Sequence, residues 1–504
     1  MTHRFDRTPR LLPLALALLS LCWAPASLAR IVEVSRDHAA GLGQPPADPP
    51  VAAAHGYWES DRDVPCVTPE QRAEIESYLA ANIAALRAQG LLPDSVDKAA
   101  GVLLQWPLRA AAHLDDPGYH GISNYVDQDA TYPNHLLDYN CGTRTYDLSG
   151  GYNHSGTDIF TWPFSWLKMD NDDVEVVAAA SGVIVGKYDG HFDHNCGFGS
   201  GQWNAVYVQH DDGSTAWYGH MKSGSTTAKI VGDAVAAGEY LGVVGSSGNS
   251  TGPHLHFELH DNLGQLVDPW SGPCNSLNED GWWADQRPYY DPAINALRTH
   301  SAPPVWPSCP NTEITNEQTQ FQAGDPVYFA TYYRDQLQNQ ISTYQILKPD
   351  GAVWQEWTAW LNVPHYVASW WYWGWYLPFG DDGVWKFRVT FQGQTVEHLF
   401  SVGTVTAAPS MAGTTRLHPA EPNPFNPATS IRFTLGDGGP IDLSIHDLAG
   451  RRVATLRRDD LAAGEHLAVW DGSSDDGATA ASGVYFVRLE TAGASQTQRI
   501  VMLK

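Results

Sequence analysis

The sequence GPHLHFEL at residues 252–259 predicts a β-strand whose two faces differ in chemistry. Because successive side chains of a strand point to opposite faces, His254 and His256 lie on the same face. The opposite face carries Phe257 and Leu259, which are suited to packing against a sheet. The strand therefore presents one edge of imidazoles above an apolar core, and one such edge can serve one metal ion.

A second pair of candidate ligands comes from YNHSGTDIF at residues 152–160. His154 and Asp158 flank Gly156 in a segment that begins like a loop and ends in apolar residues, which favours a loop running into a strand. Two His and one carboxylate leave a position on Zn²⁺ open for water, whereas a closed structural site has four protein ligands, typically with Cys. The sequence has no CxxC motif, which disfavours a thiolate zinc site.

These motifs, with His220 in WYGHM between them, resemble those of the lysostaphin/LytM-type zinc metallopeptidases. The signatures of that family are HxxxD and HxH, with a lone His between the two. The resemblance covers roughly Leu103 to Pro269 and includes NAVYVQHDDGSTAWYGHMK and GEYLGVVGSSGNSTGPHLHFEL. It implies a β-rich metallopeptidase domain that binds one Zn²⁺.

By this resemblance, the metal ligands are His154, Asp158 and His256, and the catalytic residues beside the metal-bound water are His220 and His254. In the mechanism that this implies, Zn²⁺ polarises the scissile carbonyl and lowers the pKa of its water to about 7. An unligated His then removes or returns a proton. The expected reaction is hydrolysis of peptide bonds in peptidoglycan stem peptides or crossbridges.

Other residues near the motifs leave two interpretations open. Glu258 shares the face of the HxH pair in a regular strand, so it either orients a ligand or is a solvated carboxylate at the rim. Structural roles are expected for most of the 20 His of the chain, among them His191, His194, His210 and His260.

Several other functions fit part of the pattern. A secreted protease could act on Gly-rich proteins instead of peptidoglycan, and an adhesin could use an aromatic module. A noncatalytic LytM-like regulator is disfavoured, because such relatives typically lose metal ligands. A non-haem iron oxygenase also uses two His and a carboxylate, but its common motif places the acid two residues after the His.

The first residues predict export from the cell. Arg4, Arg7 and Arg10 precede the apolar run LLPLALALLSLCWA, and SLA at residues 27–29 fits a cleavage site, so residues 1–29 are expected to be a signal peptide. No later stretch of 18 apolar residues appears, which disfavours a transmembrane segment. The expected location is secreted or at the cell surface, beyond the outer membrane.

Composition supports a secreted, mainly β protein of several domains. Of the 504 residues, 17% are charged and 11% are aromatic, and the length allows three or four domains. The formal net charge of −26 makes nucleic acid and anionic bilayers poor partners. Without Cys22 of the signal peptide, two disulfides and one free thiol are expected, with open connectivity, among Cys66, Cys141, Cys196, Cys274 and Cys309.

Residues 30–102 are expected to form a lead-in that contains a helix over residues 68–89. TPEQ at residues 68–71 supplies an N-cap, a proline at N1 and a capping-box Gln. An apolar face is then predicted from Ile75, Leu79, Ile83 and Leu86. We expect a small helical core element packed on the enzyme rather than a prodomain, because this region offers no ligand.

The rest of the chain is expected to form three modules. A zinc metallopeptidase domain over residues 103–300 ends at the proline-rich SAPPVWPSCP, and short strands then indicate an Ig-like β-sandwich over residues 301–402. Core packing is favoured over a sugar-stacking platform for the aromatic rings of Trp370, Trp371, Trp373 and Trp375. Residues 403–415 are expected to form a linker.

The last module, residues 416–504, resembles the C-terminal Ig-like sorting tails of exported bacterial proteins, which are related to the flagellar hook-capping Ig-like fold. The resemblance rests on LHPAEPNPFNPATSIRFTL, IDLSIHDLAGRRVATL and GVYFVRLE. It implies an address for a type IX-like route, with the secretion machinery as partner. A resident β-sandwich spacer is the alternative.

Overall fold

The computed structural model describes residues 31–33 and 54–56 by their backbone, residues 65–93, 102–197, 201–309 and 311–403, and, with short gaps, residues 415–502. The described part is mainly β, as predicted, with two helices. The predicted signal peptide and most of the predicted linker lie outside the described residues. Neither helix in the described part is long and apolar enough to cross a membrane.

The N-terminal region contains a small strand pair and one long helix. Strands β1 (Ile31–Glu33) and β2 (Ala54–Gly56) pair antiparallel. Helix α1 (Pro69–Ala88) agrees with the predicted helix, and the Thr68 hydroxyl accepts a hydrogen bond from the Gln71 amide at 3.1 Å. Ile75, Leu79 and Leu86 are buried, so the predicted apolar face is the one that packs.

The region with the histidine motifs is built on a large antiparallel sheet. Its strands are joined in the order β12-β9-β10-β11-β14-β7-β4, and β15 pairs with β14; a smaller sheet has the order β13-β8-β3, and β5 pairs with β6. The elements are β3 (Leu108–Ala110), β4 (His120–Asn124), β5 (Asp147–Leu148), β6 (Tyr152–Asn153), β7 (Thr157–Thr161), α2 (Ser165–Asp170), β8 (Val174–Val177), β9 (Gly182–Tyr188), β10 (Ala205–Gln209), β11 (Thr215–Gly219), β12 (Ala234–Val235), β13 (Tyr240–Val243), β14 (His254–His260) and β15 (Leu266–Val267).

The two faces of the large sheet have different neighbours. Phe257 of β14 belongs to the main core, which includes residues of the smaller sheet. Since side chains alternate along a strand, His254 and His256 point to the opposite face. Helix α1 lies on that second face, where Leu79 packs in a separate cluster with Trp217 of β11. The helix therefore covers the face that carries the imidazoles.

A β-sandwich follows the large sheet. One of its sheets has the order β16-β18-β21 and the other β17-β23-β22-β19-β20. Strand β16 precedes residue 301 and pairs with β18 along its length. The strands are β16 (Ala293–His300), β17 (Gln320–Phe321), β18 (Pro326–Leu337), β19 (Ile341–Leu347), β20 (Val353–Trp360), β21 (His365–Tyr376), β22 (Gly383–Phe391) and β23 (Gln394–Val402).

All four tryptophans of β21 are buried, so the interpretation as a sugar-stacking platform is wrong and core packing is confirmed. The sandwich core contains Trp371, Trp373 and Trp375. Trp370 points the other way and clusters with Trp162 from the loop after β7. The strand is aromatic on both faces because both faces of its sheet are covered, one by the sandwich partner and one by the preceding region.

The C-terminal module is a second β-sandwich, with sheets in the orders β24-β25-β29 and β27-β26-β30-β31 and with β28 paired to β26. Ile441, Leu443 and Ile445 alternate along one strand and are all buried, so the face that they share packs in the core of the sandwich. The strands are β24 (Arg416–Leu417), β25 (Thr429–Leu435), β26 (Gly439–His446), β27 (Arg452–Arg457), β28 (Asp460–Leu461), β29 (Gly464–Trp470), β30 (Gly483–Thr491) and β31 (Ser495–Met502).

The described residues contain two disulfides and one free thiol, as predicted from the number of cysteines. Cys141 bonds to Cys274, and Cys196 bonds to Cys309. The second bond ties a loop of the large-sheet region to the segment between β16 and β17 of the sandwich. Cys66 is free and buried.

Candidate metal centre

The histidine motifs meet at one end of three neighbouring strands. Asp158 of β7 lies directly opposite His256 of β14. His154 lies between β6 and β7, and His220 follows β11, which pairs with β14 on its other side. His220 has a φ of 61°, a left-handed conformation that is uncommon for residues other than glycine and is typical of functional sites.

The Asp158 carboxylate connects the imidazoles. Its Oδ2 lies 3.0 Å from Nε2 of His154, and its Oδ1 lies 2.9 Å from Nδ1 of His256. His254 Nε2 lies 3.8 Å from the same Oδ1. His154 and His256 are completely buried, and Asp158 is 5% exposed. The structure thus brings these side chains together around one point.

Each of the two innermost imidazoles is fixed by a hydrogen bond on its far nitrogen. His154 donates from Nδ1 to the Tyr125 carbonyl at 2.8 Å, which directs its Nε2 to Asp158. His256 donates from Nε2 to Glu258 Oε2 at 3.1 Å, so its Nδ1 is directed to Asp158. Such outer hydrogen bonds are the usual means of orienting metal-binding histidines.

Glu258 is buried and hydrogen-bonded to His256, so its interpretation as a solvated carboxylate at the rim is wrong. It is 1% exposed and accepts from His260 Nε2 at 2.6 Å in addition to His256. Arg72 of α1 binds it with two nitrogens, one of them at 3.0 Å. Burial raises the pKa of Glu258, but the Arg72 charge and the imidazole hydrogen bonds outweigh it and hold the pKa well below its usual range.

His220 and His254 lie beside this group with their rings 4.5 Å apart. His220 donates from Nδ1 to the Ser247 carbonyl at 2.6 Å, and its buried Nε2 has no hydrogen-bond partner in the described part of the chain. His254 donates from Nδ1 to the Gly252 carbonyl at 2.8 Å. Burial lowers the pKa of both imidazoles, that of His220 strongly. Both are therefore neutral near pH 7 and able to accept a proton.

Charge at the centre is balanced by Asp158. Burial raises the pKa of this carboxyl, but His154 and the imidazole hydrogen bonds hold it well below its usual value. Burial lowers the pKa of His154, and the Asp158 charge more than compensates and raises it. A proton shared between these groups occupies the position that a cation would take, so protons and a metal ion compete for it.

The free cysteine, Cys66, lies at the same point. Its Sγ is 3.8 Å from His256 Nδ1 and 3.0 Å from the Tyr152 hydroxyl. The ligand atoms of Cys66, His154 and His256 all lie within 4.8 Å of one another. The N-terminal region, which was expected to offer no ligand, thus places a thiol among the candidate ligand atoms. The only signal in the sequence was that Cys66 stands just before the helix N-cap.

The other histidines that were expected to be structural divide into two groups. His194 binds Asp170 and Asp193 at 3.1 and 2.9 Å, and His210 binds the Ser181 carbonyl at 2.9 Å, away from the centre. These contacts agree with structural roles. His260 is the exception, because its hydrogen bond to Glu258 ties it to the network behind His256.

Family models match two segments of the chain. Residues 153–269 match the model of Peptidase family M23, and residues 429–495 match the FlgD Ig-like domain. The first segment contains all five residues that the motifs single out. The second lies within the C-terminal sandwich.

Curated relatives match the same central region. The DD-carboxypeptidase/endopeptidase Mpg of Neisseria meningitidis serogroup B is 42% identical over 96 residues, which cover 19% of this chain and 19% of that protein. The glycyl-glycine endopeptidase ALE-1 of Staphylococcus capitis is 32% identical over 131 residues, 26% of this chain and 30% of that protein. The match thus spans only about a fifth to a third of these relatives.

A solved structure of dimeric latent PorU from Porphyromonas gingivalis is 12% identical to this chain. The match covers 64% of this chain and 34% of that one, with a TM-score of 0.18, which supports no conclusion about fold. The informative likeness is therefore regional: the segment that carries the histidine centre is similar to peptidases of family M23, and the C-terminal module is similar to the FlgD Ig-like domain.

Proposed function

We propose that this chain is a secreted zinc metalloendopeptidase that hydrolyses peptide bonds in peptidoglycan stem peptides or crossbridges. The observation that carries the proposal is the convergence of two imidazoles and a carboxylate, His154, Asp158 and His256, with two neutral imidazoles beside them. The relatives named as endopeptidases support the reaction class, and their names support a wall peptide as substrate.

The donor set fits a zinc ion. Two imidazoles and one carboxylate are a common ligand set of catalytic zinc, and bonds of 2.0–2.3 Å separate tetrahedral ligand atoms by roughly 3.3–3.8 Å. The separations of 2.9 and 3.0 Å between the Asp158 oxygens and the two imidazole nitrogens are close to this range. When bound, zinc supplies a Lewis acid that polarises the scissile carbonyl and lowers the pKa of the attacking water to about 7.

The neighbouring histidines are assigned the proton transfers. His220 is held by the Ser247 carbonyl through Nδ1, which leaves the lone pair of Nε2 as a proton acceptor. His254 is held in the same way by the Gly252 carbonyl. One of them removes a proton from water, and the pair returns a proton to the leaving amine. Because burial keeps both neutral, this division of roles works near neutral pH.

Export and sorting belong to the same proposal. Residues 1–29 would direct the chain across the inner membrane. The C-terminal module would then address it to a type IX-like secretion machinery, a role suggested by the resemblance described above and compatible with its similarity to the FlgD Ig-like domain.

The experiment measures metal content and release of soluble peptides from purified peptidoglycan. The full chain and a Cys66→Ser chain are both assayed, since Cys66 lies against the centre. We expect one zinc per chain and hydrolysis that a chelator abolishes, with both lost in His256→Ala. His135→Ala is the matched control, because His135 is exposed and outside the centre. Intact peptidoglycan in every zinc-loaded sample would contradict the proposal.

A further inference from the structure

We propose that the Cys66 thiolate is a fourth ligand of the metal and that residues 65–93 hold it there, so that the described chain is a closed, latent form. The inference rests on the proposed zinc site and adds to it a ligand and a regulation. Three protein ligands leave a position for water, whereas four close the site. Cys66 would complete the set of four.

Two observations point to this role. The Cys66 sulfur lies 3.8 Å from His256 Nδ1, a separation that suits two ligands of one tetrahedral zinc ion, for which roughly 3.3–3.8 Å is expected. The second is the buried His154 Nε2, which lies 3.0 Å from Asp158 Oδ2 and belongs with the Cys66 sulfur and His256 to one group of ligand atoms within 4.8 Å of one another.

The N-terminal segment covers the face of the sheet from which substrate has to approach. Cys66 and Val67 are buried in the cluster that α1 forms with Trp203 and Trp217. Just before them, the Pro65 carbonyl accepts a hydrogen bond from the Asn249 side chain at 3.1 Å. His254, the most accessible residue of the centre, keeps only 12% of its side-chain surface exposed. An extended peptide therefore cannot reach the centre while this segment is in place.

Arg72 anchors the segment to the centre itself. Its guanidinium binds both oxygens of Glu258, donates to the Ser155 hydroxyl at 2.8 Å and lies 5.3 Å from the Trp217 ring centroid. Glu258 is also the residue that orients His256. Glu258 thus binds both Arg72 of the N-terminal segment and the candidate ligand His256. Movement of the segment would therefore change the position of His256.

Opening requires that the sulfur leave and that the segment move away. The thiolate then takes up a proton, and water gains access to the position. Cleavage of the chain after α1 would release the segment permanently. A second effective route is weakening of the Arg72 anchor, because the segment is held by side-chain contacts and by packing rather than by a disulfide.

The direct test is X-ray absorption at the zinc edge on the full chain. We expect one sulfur scatterer at about 2.3 Å in addition to nitrogen and oxygen neighbours. The sulfur should be absent in Cys66→Ser and in Cys66→Ala, and present in Glu76→Gln, a matched control at an exposed position of α1. A sulfur-free zinc shell in the wild-type chain, or a chain that binds no zinc, would overturn the proposal.

The second test compares hydrolysis of dye-labelled peptidoglycan by the same proteins. We expect Cys66→Ser to be at least about tenfold more active than the wild type and Glu76→Gln to be unchanged. Equal activity of wild type and Cys66→Ser with a sulfur-free shell removes the inference but leaves the proposed function. A zinc–sulfur bond with no hydrolysis by any variant removes the proposed function but leaves the ligand assignment.

Discussion

At the scale of single residues, Glu258 does the most to join the parts of the centre. It accepts hydrogen bonds from His256, from His260 and from Arg72, three donors that come from two different elements. A buried carboxylate with three charged or polar donors stays ionised, and it orients each donor in turn. We therefore expect both the metal affinity of the proposed site and the proposed closure by the N-terminal segment to depend on it.

Replacement of Glu258 by Gln should weaken metal binding. The amide is a weaker acceptor for the His256 Nε2–H, and it leaves the Arg72 charge without its partner. Loss of such an outer hydrogen bond typically costs about 10–100-fold in metal affinity. Competition with a chelator measures the affinity, and Glu279→Gln, at an exposed position, is the control. Equal affinity in Glu258→Gln and wild type would refute the orienting role.

His194 should make stability depend on pH above neutrality. Hydrogen bonds that the His194 ring donates to Asp170 and Asp193 raise its pKa to about 9, from an unfolded value of about 6.5. The folded chain thus binds more protons between these values, so the contribution is complete below pH 6.5 and is lost as pH rises through 9. Because the side chain is one-third exposed, solvent screening limits the contribution to about 1 kcal/mol.

Thermal unfolding of wild type and His194→Gln at pH values from 6 to 9.5 checks this expectation. The difference between the two unfolding midpoints should be largest at the acid end and should shrink towards the alkaline end. A difference that stays constant over the range would show that the proton on His194 does not contribute.

At the scale of elements, local sequence patterns predict the strands and the helix. They do not predict the contacts between residues that are distant in the sequence. The cap at Thr68 and the alternation around His254 are properties of a few neighbouring residues, and both are found as predicted. The position of Cys66 depends on how α1 packs on a sheet whose strands come from distant parts of the chain. The burial of Trp370 depends likewise on a neighbouring region, which no periodicity within β21 reveals.

Substitution of Thr68 by Ala should loosen the first turn of α1 and with it the segment that holds Cys66. Loss of an N-cap side chain costs about 1 kcal/mol, because the Gln71 amide loses its partner. Hydrogen exchange of the α1 amides should quicken by about fivefold. Ser77→Ala, exposed on the same helix, should leave exchange as slow or slower, since alanine favours helix. Unchanged exchange after loss of Thr68 would show that the cap does not limit opening.

At the scale of the whole molecule, the large-sheet region and the first sandwich share a buried polar contact as well as an aromatic one. Arg144 of the large-sheet region binds Asp335 of β18 at 2.7 Å, and the two side chains are 7% and 4% exposed. His365 of β21 binds the same carboxylate at 2.9 Å. Burial raises the pKa of Asp335, but Arg144 outweighs burial and lowers it. The carboxylate therefore stays charged, and the two regions depend on each other for charge balance.

Replacement of Asp335 by Ala should therefore destabilise both regions together. Removal of one partner from a buried ion pair leaves an uncompensated charge and costs about 3–5 kcal/mol. Asp381→Ala is the matched control, because it breaks a pair with Lys348 that is about one-third exposed on the same sandwich, and such surface pairs contribute about 0–1 kcal/mol. In calorimetry, Asp335→Ala should lower the unfolding midpoint of both regions, whereas Asp381→Ala should leave them close to wild type. If only the sandwich transition moves in Asp335→Ala, the two regions fold independently, and the sandwich does not stabilise the region that carries the histidine centre.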